Sequence, residues 1–190
     1  MLARHHSVVA AVLLVIGAPA TGRTTPPMRQ DQSAADAVAA AKSSPLLELA
    51  DAYYEAYAAL DLERMVTFLA DDVQFRDPTL HLFPGETIDA QAGLMVDGID
   101  QVRAMLGQVF ANESLLGLSW EVANRFASGN YVVLQGSFHQ ELDGRLLGTR
   151  ERVLRISTTF VTVLEIVDGK IRSQTDYVDY GQLSRQLAPE

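Results

Sequence analysis

The sequence predicts an α+β domain in which three N-terminal helices pack on a curved, mostly antiparallel sheet. Three observations lead there. Apolar residues between Leu46 and Phe110 recur largely at helical spacing. From Leu118 onward they alternate with period two, in long runs. Turn residues separate those runs, Ser128-Gly129-Asn130 and Asp168-Gly169 among them. Helices first and strands last place the helices on one face of a sheet.

The elements follow in order. Residues 1–20 read as a signal peptide: Arg4 gives a positive start, Val8 to Ile16 an apolar run, and Ala18-Pro19-Ala20 a small-x-small cleavage site. A retained N-terminal anchor is the alternative. A cleaved signal implies a periplasmic or secreted protein. Residues 21–43 are polar and Ala-rich with a Pro pair, which reads as a flexible linker. The domain then occupies 44–190. Ser44-Pro45 starts the first helix, with Leu46, Leu49, Tyr53, Tyr57 and Leu60 on one side. Asp61 caps a second, with Met65, Phe68 and Leu69 buried. Val73, Phe75 and Asp77 alternate as a short strand that stops at Asp77-Pro78. Residues 81–98 form a loop-rich insert with a small hairpin around Glu86 to Met95. Gly98 opens a third helix that buries Ile99, Val102, Met105, Leu106, Val109 and Phe110. Strands are expected over Leu118 to Phe126, Tyr131 to Glu141, Glu151 to Val167 (with a break near Ser157) and Ile171 to Tyr180.

Composition excludes several functions. The chain has 190 residues, 48% hydrophobic and 21% charged, enough for one domain with its own core. A net charge of −9 without Lys/Arg clusters argues against nucleic acid and against membranes after signal cleavage. With Cys 0, disulfides, thiol catalysis and thiolate metal sites are ruled out. His81 and His139 have no metal-ligand spacing, so no metal and no cofactor are expected. There is no G-x-S-x-G elbow and no Gly-rich phosphate loop.

Three segments carry a family resemblance. Asp61-Leu62-Glu63 leads into FLADDVQFRDP. Gly98-Ile99-Asp100 opens the third helix. Val167-Asp168-Gly169-Lys170-Ile171 precedes Thr175-Asp176-Tyr177. Together, over about residues 46–185, they resemble the SnoaL-like and ketosteroid isomerase-like proteins of the nuclear transport factor 2-like superfamily. The resemblance implies a cone-shaped fold, a hydrophobic pocket and a homodimer formed through the sheet. Laid on the isomerase pattern, the general base falls on Asp77 and the oxyanion-hole tyrosine on Tyr53. The third member of that site, an aspartic acid, falls on Thr162 and is missing. The ending Gln174 to Asp179 also resembles limonene epoxide hydrolases, whose pocket aspartate would be Asp176. Their Arg-x-Asp pair has no counterpart near Gly136 and Phe138, so that hydrolysis is not expected.

Candidate residues each have two readings. Asp77 is either a turn residue before Pro78 or a base in an apolar pocket. Tyr53 and Tyr57 are either core aromatics or pocket groups, Tyr53 the oxyanion donor and Tyr57 a ligand contact. Asp176 shares a face with Gln174, Val178 and Tyr180; it either meets ligand or pairs with Arg125, Arg152 or Arg155. Trp120, Phe138 and Thr162 are expected as ligand contacts, and His81 as a residue over the pocket mouth. His139 is expected to face away from the pocket. Two functions follow: a cofactor-independent isomerase, cyclase or dehydratase working beside a carbonyl of a small apolar ligand, or a binding module without chemistry.

Overall fold

The computed structural model describes residues 44–80, 93–146 and 152–187. The segments expected as signal peptide and linker, His81 and most of the insert lie outside the described residues. Among the described residues the helices are α1 (Pro45–Ala58), α2 (Leu62–Val66), α3 (Ile99–Phe110) and α4 (Tyr180–Leu187). The strands are β1 (Leu69–Asp77), β2 (Leu94–Asp97), β3 (Leu115–Ser128), β4 (Tyr131–Asp143), β5 (Val153–Val167) and β6 (Lys170–Val178). They form one curved, open sheet in the order β2-β1-β6-β5-β4-β3. Neighbours are antiparallel except β1 and β6, which run parallel.

Local chemistry explains most boundaries. Ser44 accepts from the Leu46 amide at 3.3 Å and Pro45 fills the first turn of α1. Asp61 Oδ1 accepts from the Arg64 amide at 3.0 Å and starts α2. Asp168 and Gly169, with φ of 52° and 73°, form the two-residue turn between β5 and β6. Gly136 lies opposite a bulge at Val122–Asn124 in β3. A Cβ there would come within 1.9 Å of the Glu121 carbonyl, so only glycine lets the bulge close on β4.

Four expectations change. The buried side of α1 is Leu47, Ala50, Tyr53 and Tyr54; Leu46, Leu49 and Tyr57 are only partly covered. Ala50 at the centre lets the helix come close to the sheet. The second helix ends at Val66, and Leu69 is buried as the first residue of β1. Its end is tertiary: the Phe68 carbonyl accepts from the Ile171 amide of β6 at 2.8 Å. β5 runs through Ser157 unbroken. β6 stops at Val178, and Tyr180 begins α4. Asp179 Oδ1 accepts from the Gln182 amide at 2.9 Å, as an N-cap does.

Helix α4 covers an edge. The first half of β5 has no β6 partner beyond Phe160. Gln182 Oε1 accepts from Thr159 N at 3.1 Å, and Gln186 Oε1 from Ser157 N at 3.0 Å. Two glutamines four residues apart thus satisfy strand amides that would otherwise face water. The main core lies between α1, α3 and one face of the sheet; Leu115, Leu142, Ile156 and Leu183 form a smaller cluster beside it.

Candidate functional site

A cavity of about 190 Å³ opens between that face of the sheet and helices α3 and α4. Alternation along the strands aims the lining side chains inward. β3 and β4 supply Trp120, Phe138 and Gln140, β5 supplies Phe160 and Thr162, and β6 supplies Asp176 and Val178. Asp77 comes from the end of β1, Tyr57 from α1, and Tyr180 and Leu183 from α4. The walls are aromatic: Trp120 stacks on Phe138 at 4.3 Å and meets Phe160 edge-on at 5.1 Å.

Two carboxyl groups interrupt this apolar surface. Asp176 Oδ1 accepts from the Thr162 hydroxyl at 2.6 Å and Oδ2 from the Gln174 amide at 2.8 Å. Each donor is itself held. The Tyr54 hydroxyl donates to Thr162 Oγ1 at 2.8 Å, and the Tyr53 hydroxyl donates to Gln174 Oε1 at 2.7 Å. The two tyrosines therefore fix which way Thr162 and Gln174 point their protons. Burial pushes both phenols well above their ordinary pKa, so they stay neutral donors. Burial also pushes the Asp176 carboxyl up to about 7, against the pull of its two hydrogen bonds and with a further push from Asp77. Asp77 Oδ1 accepts from the Thr79 amide at 2.9 Å and the Thr79 hydroxyl at 2.6 Å. Its Oδ2 accepts from the Tyr180 hydroxyl.

Of the expected site residues, Asp77, Asp176, Tyr57, Trp120, Phe138 and Thr162 all line this one cavity. Tyr53 does not. It is fully buried with its hydroxyl committed to Gln174, one layer behind the surface, so the expected oxyanion donor is instead a support for Asp176. Among the described residues no arginine is paired with Asp176: Arg125 pairs with Asp51 and Arg155 with Glu141, while Arg152 is exposed. His139 faces outward, 3.8 Å from the Glu121 carboxylate. Sequence reasoning missed Tyr54, Gln140 and Tyr180. The Asp179-x-x-Gln182 cap was the available signal for Tyr180. Among the described residues no three His, Cys, Asp or Glu side chains stand close enough to hold a metal.

Chemically, the arrangement offers a carboxyl that changes charge near neutral pH at the wall of an apolar cavity. Gln140 adds a side-chain amide on the same surface, while the Tyr180 hydroxyl is committed to Asp77.

The comparisons agree on the architecture. A search of the curated proteins gave no match. Among solved structures, a candidate SnoaL-like polyketide cyclase from Shewanella putrefaciens CN-32 is 22% identical with TM-score 0.61, covering 76% of this chain and 96% of its own. A protein of ketosteroid isomerase-like fold from Catenulispora acidiphila is 15% identical with TM-score 0.56, covering 73% and 91%. An M. tuberculosis LEH-like epoxide hydrolase is 16% identical with TM-score 0.57, covering 77% and 91%. At these identities the likeness is one of fold. The SnoaL-like domain model matches residues 50–174, from within α1 to Gln174 in β6, and the chain therefore belongs to the SnoaL-like family.

Proposed function

We propose that this protein is a cofactor-independent proton-transfer enzyme, an isomerase, cyclase or dehydratase, acting on a small apolar molecule that bears a carbonyl. The observation that carries the reading is Asp176: a carboxyl at the wall of an apolar cavity, raised to about 7 by burial and held by hydrogen bonds from Thr162 and Gln174. A base is most effective when its pKa lies near the working pH. Asp176 takes a proton from the carbon beside the carbonyl, and the C–H electron pair becomes an enolate. Gln140, on the same wall, is the side-chain amide placed to donate to the enolate oxygen. Returning the proton to a different carbon isomerises the substrate. Using it to release a hydroxyl as water dehydrates, and attack of the enolate carbon on a second carbonyl closes a ring.

Asp176 suits this role better than Asp77. Asp77 accepts three hydrogen bonds, two from Thr79 and one from Tyr180, where Asp176 accepts two, from Thr162 and Gln174. Deuterium exchange beside the carbonyl of simple ketones, followed by NMR in heavy water, tests the reading. Wild type should exchange at least a hundredfold faster than Asp176→Asn. Equal rates would remove the mechanism and leave the second reading, a binding module of the same fold.

Export and self-association belong to the same proposal. The pattern of residues 1–20 supports export to a periplasm or the exterior. Phe126, Val133 and Val163 lie side by side across β3, β4 and β5 on the face away from the helices, and Phe126 is 52% exposed. That stripe supports a homodimer through the sheet. Sedimentation of wild type against Phe126→Glu tests it.

A further inference from the structure

The two carboxyls stand closer than their separation in sequence suggests. Phe75 pairs with Gln174 and Arg76 with Thr175 across the parallel strands β1 and β6. The next pair in that register is Asp77 and Asp176, on strands about 4.8 Å apart, with both side chains turned into the cavity. Like charges at such spacing oppose one another. A protein ordinarily places a lysine or arginine between them. Here every hydrogen bond described to either carboxyl comes from a neutral donor, namely Thr79, Tyr180, Thr162 or Gln174. Among the described residues lining the cavity there is no Lys, Arg or His. The guanidinium groups nearest in sequence are engaged elsewhere, Arg76 with Asp97 and Arg172 with Asp72.

The remaining wall is mostly apolar, aliphatic side chains with a cluster of rings. Tyr57, Trp120, Phe138 and Phe160 all face the same space, with Tyr57 and Trp120 centroids 5.3 Å apart. Ring faces carry the negative part of the aromatic quadrupole and attract cations. Two acids beside these rings, with no Lys, Arg or His among the described lining residues, form a surface that repels anions and favours a weakly hydrated positive charge.

From this geometry we infer that the cavity takes a small organic cation, a substituted ammonium, with Asp77 as its counter-charge and the aromatic rings around its alkyl groups. The inference deepens the proposed function by giving its ligand a charge. It shares the cavity with that reading but not the chemistry. Division of labour follows: Asp77 neutralises the ammonium and leaves Asp176 to exchange a proton. An ammonium group close to a carbonyl also makes the intervening C–H more acidic, which suits a carboxylate base.

Titration calorimetry of the full chain at pH 8 with two probes of equal shape tests this. Choline carries a quaternary nitrogen, and 3,3-dimethylbutan-1-ol has a carbon in its place. Choline should bind about tenfold tighter or more. Asp77→Asn, which keeps one oxygen for Thr79, should erase that preference while far-UV circular dichroism stays unchanged. If Asp77→Asn fails to fold, Asp176→Asn is measured instead and should reduce the preference severalfold. Equal binding of the two probes, binding of neither at millimolar concentration, or a preference that survives both substitutions would overturn the inference. The deuterium-exchange assay uses neutral ketones and reports separately. Exchange without choline preference rejects the charge and keeps the base. Choline preference without exchange does the reverse.

Discussion

Asp176→Asn should make the protein more stable at pH 8 than the wild type, and the gain should shrink on acidification. The argument runs from the carboxyl's position. Its folded-state pKa is raised from 3.8 to about 7, chiefly by burial. Well below pH 3.8 the group is protonated in both folded and unfolded chains and imposes no penalty. As pH rises the unfolded chain ionises first, so folding must retain a proton that the unfolded chain gives up. The penalty grows through that window and is complete above about 7. The rise corresponds to on the order of 4 kcal/mol. Between pH 5 and pH 8 the penalty increases by about 2.5 kcal/mol. Asparagine removes it and costs a pH-independent amount, about 1 kcal/mol, because its amide faces a donor that the carboxylate accepted. Urea denaturation of both proteins at pH 5 and pH 8 isolates the charge, since the hydrogen-bond cost cancels in the difference. A stability difference between variant and wild type that is the same at both pH values would refute the reasoning. It would mean that water entering the cavity solvates Asp176 as well as bulk solvent does.

Other expectations can be checked with the same denaturation assay. Tyr53→Phe leaves Gln174 Oε1 buried without its donor and should cost about 1–2 kcal/mol; exchange activity should fall less than tenfold, and a much larger loss at unchanged stability would return Tyr53 to the site. Gly136→Ala forces a methyl group to within 1.9 Å of the Glu121 carbonyl, so β3 or β4 must shift; the loss should exceed about 2 kcal/mol, against less than about 0.5 kcal/mol for Ser137→Ala on the outer face. Leu183→Ala removes a buried side chain that α4 sets against Leu142 and Ile156 and should cost about 2–4 kcal/mol. Arg125→Ala breaks a half-exposed pair with Asp51 and should cost under about 1 kcal/mol, less still in high salt.

The site was partly legible because strands report their faces. Gln174, Asp176 and Val178 share one face of β6, but strict alternation from the buried Ile171 would put them outside; an irregularity between Ile171 and Ser173 turns them in. Thr162 and Phe160 keep the period of two on β5, as do Trp120 and Phe138 before the bulge in β3. Helix α1 was harder. Its sequence has apolar residues all round, so Leu46, Leu49 and Tyr57 made as good a stripe as Leu47, Ala50 and Tyr54. The choice between them depends on how closely the helix approaches the sheet, and only Ala50 reveals that.

The sequence by itself determined the class of fold, the order of helices and strands up to β6, and the capping of α1 and α2. These are local properties, set by side-chain spacing and by the backbone preferences of a few residues. Tertiary structure decided what Asp77 and Asp176 meet. Tyr53 reaches Gln174 across 121 residues and Tyr54 reaches Thr162 across 108. No pattern within one segment encodes such a contact. It arises when α1 docks on β5 and β6, and that docking turns two tyrosines from candidate site groups into the support that orients Asp176. The same holds at the other carboxyl: Asp77 and Tyr180 meet because β1 lies parallel to β6 and α4 folds back over the free edge of β5.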